Sequence, residues 1–89
     1  MDAMTERRIE ILWELYQRPQ DGSLETVAMI LGRNVDGPAF RLDKDKLIED
    51  GQIVQMDMPE FGGLGTPELY KVTLEGEQML REWDYPVGH

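Results

Sequence analysis

Arg33, Arg41, Lys44 and Lys46 lie in the one stretch of this chain that is not acidic. Residues 33–46 set those four cations against Asp36, Asp43 and Asp45. Residues 1–32 hold three basic side chains and six acidic ones, and residues 47–89 set only Lys71 and Arg81 against nine acids. Grouped guanidinium and ammonium ions are suited to phosphate, so this segment is the place to look for an anion-binding surface. The chain as a whole argues the other way: its 89 residues carry a formal charge of -9, which opposes unspecific attraction to nucleic acid or to an anionic membrane. Within the segment, Arg41 with Asp45 and Lys46 with Asp50 are spaced i, i+4, so on a helix each cation has a carboxylate one turn away that competes with any phosphate.

Other chemistry is thinly represented. There is no cysteine, which excludes disulfides, thiolate nucleophiles and sulfur-ligated metal sites, and the one histidine is His89. Acids are plentiful, but general acid–base work needs two carboxylates in contrasting environments within a cleft, and a core of this size leaves little room for one. No catalytic residue, metal site or cofactor is expected, and the chain reads as a non-enzyme. Gly62-Gly63-Leu64-Gly65 lacks both the strand-to-helix setting and the Lys-Ser/Thr of a phosphate loop, and is read as hairpin flexibility. Phe61 and Leu64, apolar in that glycine-rich stretch, either fold back on the body or offer a protein-contact patch. Trp83 and Tyr85, with Trp13, are core-edge residues or a dimer seam. The methionines are gap-fillers.

The elements that must position these residues follow from periodicity. From Thr5 to Arg18, Ile9, Leu12, Trp13 and Tyr16 recur at i, i+3, i+4, i+7, with Ile11 and Leu15 widening the stripe, and Pro19 ends the helix. Its polar arc covers only about a third of the circumference, so the helix needs two neighbours, or one neighbour and a second copy. Asp21-Gly22 is a turn, Ser23 caps a helix carrying Leu24, Val27, Ala28 and Leu31, and Gly32 stops it. Asp36 is placed to cap a third helix, with Pro38 in its first turn and Val35 and Phe40 as a hydrophobic staple; that helix runs to about Asp50 and Gly51 closes it. Gln52 to Met58 and Glu68 to Thr73 read as strands, the second placing Tyr70, Val72 and Leu74 on one side, and residues 59–67 are the hairpin loop. Thr73 caps a last helix with Gly76, Met79, Leu80 and Trp83 on one face. The fold class is α+β: three helices, a hairpin forming a small antiparallel sheet, then a helix. A single domain spans residues 1–84, with residues 85–89 as a tail. No apolar run reaches the roughly 20 residues of a membrane span, and the first residues lack the basic-then-apolar order of a signal peptide, so the expected address is cytoplasmic, away from membrane.

The join Leu47-Ile48-Glu49-Asp50-Gly51-Gln52-Ile53-Val54 and the stretch Tyr70-Lys71-Val72-Thr73-Leu74-Glu75-Gly76-Glu77-Gln78-Met79-Leu80 resemble the two signatures of winged-helix regulators of prokaryotes. The resemblance covers nearly the whole chain and, by size and pattern, extends to small stand-alone winged-helix proteins of phages and prophages. It implies that the third helix enters the DNA major groove through its solvent face and that the wing tip brings Arg or Lys to the duplex. Residue by residue, that face is Arg41, Leu42, Asp45, Lys46 and Glu49, opposite Phe40 and Leu47. Arg33 and Asn34 take the turn before it, as phosphate contacts or as a solvated turn. Lys44 lies toward a position that is usually apolar in the family, with a covered stem and an outward ammonium. The wing departs from the family, since no basic residue lies between Asp50 and Glu68.

Two readings stand. One is a DNA-binding transcriptional regulator using Arg33, Asn34, Arg41, Lys44 and Lys46, in family members often a dimer through the first and last helices. The other is a winged-helix protein-interaction module that docks a protein partner through Phe61, Leu64, Trp83, Tyr85 and the acidic C-terminal half.

Overall fold

The structure, a computed structural model, describes residues 3–56 and 69–88. It is an α+β arrangement of four helices and a two-stranded antiparallel sheet: α1 Ala3–Gln17, α2 Leu24–Leu31, α3 Pro38–Glu49, β1 Ile53–Gln55, β2 Tyr70–Val72 and α4 Leu74–Glu82. Ile53 pairs with Val72, Val54 with Lys71 and Gln55 with Tyr70. Ser23 bridges Leu69, and the Tyr70 amide donates to the Gly22 carbonyl at 2.8 Å, so the α1–α2 connection joins the edge of the sheet. Gly22 makes this approach, at φ 64°, where a Cβ would collide with the Tyr70 carbonyl.

The broad apolar arc of α1 finds its neighbours within one chain. Ile9, Ile11, Leu12 and Leu15 are buried, and α1 packs on α2, α3, α4 and β2. Leu24, Val27 and Ala28 of α2, Phe40 and Leu47 of α3, Ile53, Tyr70 and Leu80 complete a single core. Among the described residues, no helix is long and apolar enough to cross a membrane.

The helix ends follow local chemistry. The Ser23 hydroxyl accepts from the Thr26 amide and Gly32 takes the left-handed cap at φ 68°, as expected from their residue types. Gly51, at φ 73°, follows α3 in the same way. The start of α3 differs from expectation: Gly37, not Asp36, is the N-cap, without a side-chain hydrogen bond, and Pro38 opens the helix. The cause is the preceding turn, in which Asn34 Oδ1 accepts from the Asp36 amide and the Asn34 carbonyl from the Gly37 amide. Asp36 is thereby left one residue short of the cap.

The strands are shorter than expected, and Met58 and Glu68 lie outside the described residues. Leu74 does not share the inner side of Tyr70 and Val72. It is 74% exposed as the first residue of α4, because the strand alternation ends where the chain turns at Thr73. After α4 the chain reverses at Asp84, a non-glycine at φ 65°, and the Tyr85 amide donates to the Leu80 carbonyl at 3.0 Å. The tail then lies along α1: Tyr85 and Val87 pack on the core and the Gly88 amide donates to the Tyr16 hydroxyl.

Candidate functional site

The basic segment sits on the α2–α3 turn and along α3, and each of its cations has a carboxylate of the chain within 4 Å. Arg33 Nη2 donates to Asp43 Oδ2 at 2.8 Å. Arg41 Nη2 meets Asp36 Oδ1 at 3.2 Å, Lys44 Nζ meets Asp45 Oδ1 at 3.2 Å, and Lys46 Nζ lies 3.7 Å from both Glu49 and Asp50. The Lys46–Asp50 pair is the one the helical spacing predicts. The expected Arg41–Asp45 pair is replaced, because Asp36, displaced from the capping position, lies within reach of Arg41 while Asp45 takes the neighbouring lysine. Lys44 has a covered stem, with its side chain 12% exposed. Asn34 is exposed and spends its side-chain oxygen on the turn.

Asp43 is the residue that sequence reasoning missed. It is 1% exposed, the one buried charged residue among those described. Three arginines converge on it: Arg33 at 2.8 Å, Arg8 Nε at 3.4 Å and Arg7 Nε at 3.8 Å. The Arg33 guanidinium also lies over the Phe40 ring, 5.0 Å from its centroid. Arg33 is therefore clamped between a carboxylate and an aromatic face, with its side chain 16% exposed. Two signals in the sequence point to this cluster. Asp43 stands with Phe40 and Leu47 at i, i+3, i+7, on the buried stripe of α3. Arg8 stands with Leu12 and Leu15 at i, i+4, i+7, on the buried stripe of α1. A cation and an anion each facing a core require one another.

A second cluster lies where the start of α1 meets the end of α4. Trp13 stacks on Tyr16 with centroids 5.7 Å apart and meets Tyr85 at 4.9 Å. Beside them, Glu6, Ile9, Glu10, Trp83 and Tyr85 line a cleft of about 440 Å³. Trp83 and Tyr85, two of the expected contact residues, are thus brought together with two carboxylates of α1. A larger cleft, about 540 Å³, opens between the end of α1, the sheet and α4, lined by Leu15, Tyr16, Pro19, Met56 and Val72 with Lys71 and Glu77 at its polar edge. Phe61 and Leu64 lie outside the described residues, as does His89. Among the described residues no group of three or more acids or histidines is placed to hold a metal ion.

Comparison with protein-family models, with curated proteins and with solved structures returned no match to this chain.

Proposed function

We propose that this protein is a small winged-helix-type module, without enzymatic activity, that docks a protein partner. One observation carries the reading: every cation of the α2–α3 turn and of α3 lies within 4 Å of a carboxylate of its own chain. A duplex must displace those partners before it gains a phosphate contact, against a chain charge of -9. The outer surfaces of α2 and α3 support the same reading. They carry exposed Met29, Ile30, Leu42 and Ile48, side chains suited to a protein surface and with no use for a phosphate backbone. The order of three helices, a paired hairpin and a fourth helix supports the winged-helix layout.

A DNA-binding regulator is the second reading, and a separate observation favours it. Arg7, Arg8 and Arg33 share the single Asp43 carboxylate, which leaves a surplus of positive charge beside the turn that leads into α3.

Fluorescence anisotropy separates the two. A labelled mixed-sequence duplex and a labelled Arg-rich peptide are each titrated with the protein at about 50 and 200 mM salt, a range over which three or four phosphate contacts cost about tenfold or more in affinity. The docking reading expects the peptide to bind and the duplex to fail at low salt. Salt-sensitive duplex binding that Arg41→Glu and Lys46→Glu abolish establishes the regulator instead.

A further inference from the structure

The cleft between α1 and the end of α4 combines two kinds of wall that favour the same ligand. Trp83 and Tyr85 line it with aromatic rings, and the quadrupole of an aromatic face attracts a cation within about 6 Å of the ring centroid. Glu6 and Glu10 supply two carboxylates, one helical turn apart on α1 with Ile9 between them. No ion pair joins either carboxylate to a described residue, in contrast to the carboxylates around α3. Like charges at i, i+4 destabilise a helix, so an approaching positive charge relieves a repulsion as well as gaining an attraction.

The backbone that carries both rings, and the Tyr85 ring itself, are held before any ligand arrives. The Trp83 amide donates to the Met79 and Leu80 carbonyls, and the chain reversal at Asp84 directs Tyr85 back onto Trp13. The hydrogen bond from the Gly88 amide to Tyr16 ties down the segment that follows. Arg81, the cation of α4 nearest in sequence, packs against Gly88, where any side chain would collide with its guanidinium. A preorganised aromatic wall costs less ordering entropy on binding than a mobile one.

We propose that this cleft binds the cationic side chain of the protein partner, an arginine guanidinium or a lysine ammonium, seated against Trp83 and Tyr85 and paired with Glu6 and Glu10. The proposal rests on the docking reading above and names the chemistry of its partner.

The test is a ¹⁵N NMR titration of the full chain with Nα-acetyl-arginine amide, and in parallel with Nα-acetyl-citrulline amide, its uncharged isostere. The expected result is a saturable shift of the Trp83 indole N–H and of the Glu6 and Glu10 amides, with millimolar affinity for the arginine probe and at least tenfold weaker binding of citrulline. The Glu6→Gln, Glu10→Gln double variant alters two exposed side chains; it is expected to melt no lower than the parent chain, since it removes a repulsion, and to bind the arginine probe at least fivefold more weakly. Equal binding of citrulline, an unchanged affinity in the double variant, or no shift at tens of millimolar each overturns the site. The Arg-rich peptide distinguishes this failure from failure of the docking reading. If the peptide binds but perturbs amides elsewhere, the cleft assignment falls and the docking reading stands. If the arginine probe binds as described and the peptide does not bind, the cation site stands and the docking reading falls.

Discussion

Asp43 has the most to lose by substitution. Its carboxylate is buried, and Arg8 and Arg33, with side chains 20% and 16% exposed, depend on it for their counter-charge. Removing one member of a buried ion pair is costly chiefly because the other member stays behind uncompensated. Asp43→Asn is therefore expected to destabilise the protein by about 3 kcal/mol, near the lower end of the range for buried pairs because the arginines still reach water. Urea unfolding followed by circular dichroism measures it, and a loss below about 1 kcal/mol would mean that the cluster is an ordinary surface network. The same residue shows where the sequence was legible and where it was not. The helical stripe of Phe40 and Leu47 is plain from their spacing, but an aspartate between them reads as one more acid in a charge count until Arg8 is noticed on the facing stripe. Arg33 has the complementary history. Its position before α3 suggests a phosphate contact, and only the fold brings Asp43 and the Phe40 ring to it, ten and seven residues further along the chain.

The elements were legible wherever a local rule decides them. Ser23, Gly32 and Thr73 terminate helices as their chemistry requires, whereas the start of α3 shifts by one residue because Asn34 organises the turn ahead of Asp36. Thr73 also does something no local rule reveals. Its hydroxyl donates to the Gly51 carbonyl at 2.5 Å while accepting from the Gly76 amide at 3.2 Å, joining the cap of α4 to the corner between α3 and β1. Three residues on, Gly76 is buried where a Cβ would collide with the Gln52 carbonyl, so α4 starts tight against that corner. Thr73→Ala removes both hydrogen bonds and is expected to cost about 1–2 kcal/mol, seen as a fall in melting temperature of roughly 4–16 °C. Thr73→Ser keeps the hydroxyl and should recover most of the loss. If serine does no better than alanine, the hydroxyl is not what holds the corner, and the threonine methyl must be credited instead.

At the scale of the molecule, the charge of -9 acts in two opposite ways on stability, and salt tells them apart. Net charge far from zero opposes the compact state through self-repulsion, which mobile ions screen over a Debye length of about 10 Å at 0.1 M. The ion pairs of α3 involve exposed partners such as Asp36 and Glu49, at 82% and 72%, and salt weakens those as well. Exposed pairs contribute only about 0–1 kcal/mol each, while the acidic stretches on either side of the basic segment repel one another throughout the fold. Repulsion should dominate. The Asp43 cluster is screened least, since its carboxylate is shielded from solvent. The melting temperature is accordingly expected to rise by a few degrees between about 20 and 200 mM sodium chloride, with calorimetry as the measurement. Glu6→Gln with Glu10→Gln should reduce that rise, because it removes two of the repelling charges. A melting temperature that falls with salt would place the balance with the surface pairs.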